Sequence, residues 1–252
     1  MNRSSLALAA AALVTLAGCG GNSGSGGNPS RSGVVALEDN TYCQFEPGNY
    51  GAEGSNVEAV LGNGTDLFGV TGLNGLSVPF THFATANTPT LRDAIAGKKT
   101  LVIPEQENRS WAGDLDFDGI TALREFVNSG GTIIVFANYG GAIDLADAVL
   151  GSALQITGAS STSGTRTAAA AGTPFASGPD TLMNNNGSVL IVKDSLPPGS
   201  TILYDDLGDA LIAVIPKGSG HVFMFSWDFY MLDPSNEASN WVDAFEIALT
   251  KY

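Results

Sequence analysis

The stretch from residue 100 to residue 136 constrains this chain more than any other. Thr100-Leu101-Val102-Ile103 is a short apolar run stopped by Pro104, and Thr132-Ile133-Ile134-Val135-Phe136 is a second run with no charge in it. Between them Ile120, Leu123, Phe126 and Val127 recur at helical spacing, with Arg124 and Glu125 off that stripe. Ser129-Gly130-Gly131 then supplies a glycine stop. Strand, amphipathic helix and strand in this order predict a parallel crossover unit, whose strands are buried on both faces. With 252 residues, 44% apolar and 14% charged, the chain can bury such a unit and is not disordered.

Further signals alternate along the chain. Val34-Val35-Ala36-Leu37 predicts a buried first strand with Glu38-Asp39-Asn40 as its polar exit. Asn56 to Leu61 predicts a short helix closed by Gly62-Asn63-Gly64, and Thr90 to Ala96 another ending at Gly97. The second strand lies in either Asp66 to Val70 or Ser77 to Phe83. Asp144 to Leu150 continues as helix, and Gly151 to Ser188, rich in Ser, Thr, Ala, Gly and Asn, reads as short strands and loops. Strand signals return at Val189 to Val192, Ile202 to Tyr204, Ala210 to Ile215 and Val222 to Phe225. A last helix begins near Ser239, with Trp241, Phe245, Ala248 and Leu249 as its packing stripe.

The amino-terminal text has a different character. Arg3 precedes an apolar run from Leu6 to Ala17, too short for the roughly 20 residues a bilayer span needs. Its layout is that of a secretory signal. Leu16-Ala17-Gly18-Cys19 resembles the lipobox of bacterial lipoproteins. The resemblance implies cleavage before Cys19, a diacylglycerol on its thiol and acylation of the new amine, a palmitate-type anchor of more than one chain. Residues 1–18 are then the signal peptide, 19–33 a lipidated Gly/Ser-rich tether and 34–252 a single folded domain. Gly20 after the cysteine favours the outer membrane by enterobacterial sorting rules, or the cell membrane if the host has one membrane. Cys43 is the only cysteine of the folded part, so no disulfide is expected there.

Three pieces of text resemble the class I glutamine amidotransferase-like superfamily in its diverged, non-amidotransferase branches. The first joins Leu101-Val102-Ile103-Pro104, the helix Ala122 to Val127, and Gly130-Gly131-Thr132-Ile133-Ile134-Val135. The second is Gly172-Thr173-Pro174-Phe175-Ala176-Ser177-Gly178 followed by Leu196-Pro197-Pro198-Gly199-Ser200. The third runs from Gly218-Ser219-Gly220-His221 through Val222-Phe223-Met224-Phe225 to Trp227-Asp228. The resemblance implies an α/β, flavodoxin-like three-layer sandwich: a mostly parallel sheet, helices on both faces and a β-rich C-terminal half. The family's catalytic cysteine follows the central strand. Here that turn reads Ala137-Asn138-Tyr139-Gly140-Gly141, and the family's late His-x-Glu pair is also missing. The resemblance therefore implies a pseudoenzyme with respect to glutamine, since nucleophile and base are both gone.

Two constellations carry the remaining chemistry. Ligands of open α/β sheets bind outside the carboxyl ends of the strands. Those ends hold Glu38, Asp39 and Asn40, then Glu105, Gln106 and Glu107, then Asn138 and Tyr139. This acidic crevice with an aromatic wall suits a sugar, an amine or a hydrated cation, and two of its carboxylates at a defined separation would suit glycoside hydrolysis. The second constellation is Asp114, Asp116 and Asp118 followed by Gly119 and Glu125, which fits the spacing of a calcium loop. Against Ca2+ stands the simpler role of acids at a helix start, capping free N–H groups. No other cofactor is expected.

Charge narrows the partners. Eleven Lys and Arg against 25 Asp and Glu leave a net charge of −14, which excludes a nucleic-acid partner. The sequence thus predicts a membrane-anchored extracytoplasmic lipoprotein whose domain binds a small polar ligand or scaffolds an envelope protein without chemistry. The alternatives are a carboxylate-based hydrolase acting on envelope glycans, or a docking subunit of an envelope complex. Burial of Glu105 or Glu107 beside another carboxylate would favour catalysis. Solvated acids in an open crevice would favour binding.

Overall fold

The computed structural model describes residues 31–46, 52–69, 71–84, 87–138, 140–159, 163–184, 188–229 and 237–252. Cys19, its signal and most of its tether, together with Tyr139 and residues 185–187 of the predicted asparagine turn, lie outside the described residues. No helix among the described residues is long and apolar enough to cross a membrane.

The strongest sequence signals become β3 (Thr100–Ile103), α3 (Phe117–Asn128) and β4 (Thr132–Phe136), and β3 and β4 pair in parallel. β1 is Val34–Leu37, and the second strand falls late in the ambiguous region, at Phe80–Phe83 (β2). Helix α1 spans Glu53–Leu61 and α2 Thr88–Ile95, each starting earlier than the periodicity of apolar residues indicated. Helix α2 owes its start to Asn87, whose side chain accepts from the Thr90 N–H, and to Pro89 in the first turn. Helix α4 covers Gly140–Leu150. The C-terminal half adds β5 (Ile156–Gly158), β6 (Ser163–Arg166), β7 (Thr181–Met183), β8 (Val189–Ile191), β9 (Thr201–Asp206), β10 (Asp209–Lys217), β11 (Gly220–Phe225) and α5 (Glu237–Lys251).

All eleven strands join one mixed sheet, ordered β2-β1-β3-β4-β11-β10-β9-β6-β7, with β8 paired to β10 and β5 to β8. This corrects the expectation of a mostly parallel, flavodoxin-like sheet. Only β1/β2, β1/β3, β3/β4 and β4/β11 are parallel, and the other six pairings are antiparallel. The switch falls between β11 and β10, because the two-residue turn Gly218-Ser219 returns the chain directly beside itself.

Alternate residues of the central strands feed two cores. Val34, Ala36, Val102, Ile134, Phe136, Phe223 and Phe225 pack on one side with α1 and α5. Leu37, Leu101, Ile103, Ile133, Val135, Val222 and Met224 pack on the other with α2, α3 and α4. Phe136 sits against the rings of Phe225, Phe229 and Phe245, at centroid distances of 5.6, 4.6 and 5.3 Å. Truncating such a buried ring to alanine costs about 3–5 kcal/mol. This packing fixes β4, β11 and α5 relative to one another, and with them the strand ends that carry polar side chains.

Candidate functional site

The carboxyl ends of β3, β4 and β11 converge on a cluster of acids. Glu105 follows β3 and is completely buried, Asn138 follows β4, and Asp228 follows β11. Glu53, in the first turn of α1, is also buried and reaches the same place. One carboxylate oxygen each from Glu53, Glu105 and Asp228 lie within 4.8 Å of one another. What holds α1 there is partly Asn56, one helical turn after Glu53, whose side-chain amide donates to the Phe229 carbonyl at 2.8 Å. That bond ties the helix to the residue after Asp228.

Glu107 is the half-buried edge of this cluster. Its Oε2 accepts from Gln44 Nε2 at 2.6 Å. Gln44 belongs to a strap, residues 39–46, pinned by the Gly54 N–H to the Gln44 carbonyl at 3.0 Å and the Asn108 N–H to the Tyr42 carbonyl at 3.0 Å. Gly54 is required at this contact, since a Cβ there would sit 2.6 Å from the Phe45 ring and 2.7 Å from the Gln44 carbonyl oxygen.

The electrostatics follow from this crowding. Burial pushes the Glu105 carboxyl up to about 10, with the charges of Asp228, Glu53 and Glu107 adding to it and the Asn138 hydrogen bond opposing. Burial also pushes Glu107 up to about 9, helped by a hydrogen bond and repulsion with Glu53 and by the charge of Asp228. At neutral pH both therefore keep their protons. Asn138 Nδ2 donates to Glu105 Oε2 at 3.3 Å, while Glu105 Oε1, Glu53 Oε2 and Asn138 Oδ1 are buried without a hydrogen-bond partner. Cys43 lies beside the same acids, buried, with its thiol 3.7 Å from the Pro104 carbonyl. Burial first, then the charge of Glu107, pushes this thiol well above its ordinary range, so it is not a poised nucleophile.

The predicted crevice is thus brought together only in part. Glu105, Glu107 and Asn138 converge, and Gln106 spends its side-chain oxygen on the Trp111 N–H at 2.6 Å. Asp39 and Asn40 instead fold the strap, accepting from the Thr41 and Phe45 N–H groups. Glu38 turns to His82 on β2. Sequence reasoning missed Glu53 and Asp228. A signal for Asp228 was present, since it ends a strand of the same sheet.

Three of the four acids of the calcium-like spacing, Asp114, Asp116 and Glu125, have separate side-chain partners. Asp116 caps α3 by accepting from the Gly119 N–H at 2.7 Å and from Thr88 at 2.5 Å, and these bonds hold its carboxyl below the usual range. Asp114 pairs with Arg109 and with the Tyr42 hydroxyl, Glu125 pairs with Arg92 at 3.4 Å, and Asp118 lies in the first turn of α3. A cavity of about 580 Å³ opens in the antiparallel half, lined in part by Thr167, Lys193, Leu196, Ile202 and Asp205.

No protein-family profile and no curated protein matches the chain. Among solved structures, 86% of the chain aligns with the exo-β-1,4-mannosidase Op5Man5 from Opitutaceae bacterium strain TAV5, at 15% identity and a TM-score of 0.44. The same share aligns with a cytoplasmic protein from Salmonella typhimurium LT2, at 12% identity, a TM-score of 0.49 and 100% of that chain. It also aligns with a cold-adapted β-galactosidase from Rahnella sp. R3, at 11% identity and a TM-score of 0.43. The chain spans about a third of the mannosidase and galactosidase, 34% and 32% of their lengths. With a mixed sheet in place of the mostly parallel one it implied, the expected membership of the amidotransferase-like superfamily is withdrawn.

Proposed function

We propose that this domain is a carboxylate-based hydrolase acting on glycans of the cell envelope. The observation that carries the reading is the burial of Glu105 beside Glu53 and Asp228, with Glu107 at the rim of the same cluster. A glycosidase needs one carboxyl group that holds its proton at working pH and a second carboxylate nearby. Glu107 suits the first role, being the least buried of the four and protonated up to about 9. Glu53, hydrogen-bonded to Glu107, suits the second. Glu105, wholly buried, acts as a positioning residue behind them.

The ligand-binding reading asked for solvated acids, and Glu105 is the opposite. A docking surface would present a large exposed apolar patch. The exposed large hydrophobics among the described residues are Phe117 on α3, Ile156 on β5 and Leu207 in the turn between β9 and β10. We propose further that Cys19 tethers the enzyme to the membrane facing its substrate.

The test is hydrolysis of aryl glycosides and release of reducing ends from envelope glycans by the full chain. Glu107→Gln is expected to lower kcat about 100-fold or more, the scale of a lost general acid. Glu105→Gln, which preserves the neutral shape of the group, is expected to retain more activity. Absence of any glycoside turnover by the unaltered chain, or full activity in Glu107→Gln, refutes the reading.

A further inference from the structure

A second group of metal-ligating side chains lies at the same carboxyl end of the parallel strands, toward the β2 edge, and shares no residue with the acid cluster. His82 sits on β2, the edge strand, in register with Ala36 of β1. Glu38 leaves the end of β1, and Glu58 projects from α1. His82 Nδ1 is 3.0 Å from Glu38 Oε2 and 3.7 Å from Glu58 Oε1. All three atoms lie within 4.8 Å of one another.

The protein alone does not satisfy this arrangement. One imidazole nitrogen faces two carboxylate oxygens and carries at most one hydrogen, so it serves one of them. Glu58 Oε1 is shut off from solvent and has no hydrogen-bond partner. Ligand atoms held about 2.0–2.2 Å from a common ion are separated by about 3–3.6 Å, close to the spacing found. A doubly charged ion also matches two carboxylates and a neutral imidazole in charge, and replaces the unmade hydrogen bond of Glu58. The site borders a cavity of about 520 Å³, lined in part by Glu58, Asn56, Phe68 and Phe80. Phe80 shares a face of β2 with His82, two residues on. Three protein ligands beside an open cavity leave positions for water or for a ligand atom.

We propose that Glu38, Glu58 and His82 form a binding site for a divalent transition cation of the Zn2+ or Mn2+ type, open to the cavity walled by Phe80. The mixed nitrogen and oxygen donors favour these ions over Ca2+, which takes oxygen ligands only. The site goes beyond the hydrolase reading and stands without it.

The test is calorimetric titration of the full chain with Zn2+, in a Cys19→Ser background so that a second thiol does not compete, together with Co2+ as a spectroscopic probe. One equivalent of Zn2+ is expected to bind and raise Tm, and Co2+ is expected to develop a visible absorption band. His82→Ala and Glu58→Gln are each expected to weaken binding about tenfold or more and to lose the band, while Glu105→Gln leaves both intact. His82 is 58% exposed, so its replacement leaves the core untouched, and unfolding curves without metal verify this. Failure to bind Zn2+, binding that survives His82→Ala, or binding lost in Glu105→Gln overturns the proposal, none of which bears on glycoside turnover by Glu107.

Discussion

Asn138 donates its side-chain amide to Glu105 across the ends of two neighbouring parallel strands, Nδ2 to Oε2 at 3.3 Å. Each residue lies just beyond its strand, past Ile103 and Val135, the last pair between β3 and β4. The same strands, apolar after their first threonines, thus deliver an amide and an acid to one point just past their ends. The bond opposes the rise in the Glu105 pKa but does not offset burial and three neighbouring acids. The result is a carboxyl group that is neutral inside the protein and charged in the unfolded chain.

That difference sets a pH dependence of stability. Below about 4.5 both states bind the proton. From there up to about 10 the unfolded chain ionises while folded Glu105 does not, so stability falls with rising pH, by at most about 1.4 kcal/mol per pH unit for this group. Glu107 adds a loss of the same sign between 4.5 and about 9. Glu105→Gln removes the first contribution. Its Tm relative to the unaltered chain is expected to climb between pH 5 and pH 9 in thermal scans, and parallel curves would contradict the assignment.

Catalysis should show the other side of the same chemistry. If Glu107 gives up a proton to the leaving group, kcat is expected to fall above pH about 9, where the acid ionises. Gln44→Ala removes the 2.6 Å bond to Glu107 Oε2 and is expected to move this limb. A high-pH limb unchanged in Gln44→Ala, measured with a substrate whose leaving group needs no protonation as control, would place the acid elsewhere.

The parallel half of the fold was legible because its signals are local: β3, α3 and β4 each carry their own periodicity. The antiparallel half was misjudged although its punctuation was present. Leu207 and Gly208, both at positive φ (53° and 102°), join β9 to β10, and Gly218 at φ 60° begins the turn from β10 to β11. Such two-residue turns dictate antiparallel neighbours, whereas apolar content alone says nothing of strand direction. At the site, the strand-end rule found Glu105, Glu107 and Asn138. It missed Glu53 because α1 begins in glycine-rich text, three residues before the first apolar periodicity. It missed Asp228 because β11 enters beside β4 only through that long antiparallel excursion.

Asp116 separates capping from chelation by a simple pair of substitutions. Asn at an N-cap accepts the same N–H bond as Asp, so Asp116→Asn is expected to keep Tm. Asp116→Ala loses the bonds from Gly119 and Thr88 and is expected to lower Tm by about 2–4 °C. Added Ca2+ should leave both values where they are. A Ca2+-dependent rise that weakens in Asp116→Asn would mean that the acids gather round an ion.

The proposed membrane attachment rests on one thiol. Cys19→Ser is expected to abolish labelling by radioactive palmitate and to leave a slower-migrating precursor in the producing cell. Unchanged labelling in that variant would remove the lipid anchor and with it the reason for an envelope substrate.

If the strap controls access to the acid cluster, Cys43 reports on it. The thiol is buried under residues that Gly54 holds down, and in a Cys19→Ser chain it is the only thiol left. A methyl group at Gly54 meets the Phe45 ring and the Gln44 carbonyl well inside contact distance, and the backbone oxygen cannot swing aside as a flexible side-chain tip would. Gly54→Ala must therefore shift the strap, the start of α1, or both, and it weakens the 3.0 Å bond from the Gly54 N–H. Labelling of Cys43 by an aromatic disulfide reagent is expected to be slow in the unaltered chain and markedly faster in Gly54→Ala. Gln44→Ala, which cuts the side-chain bond to Glu107 and leaves the backbone contact, is expected to fall between them. Equal labelling rates in all three chains would show that the strap does not control entry, and that Glu105 and Glu53 are reached, if at all, from another side.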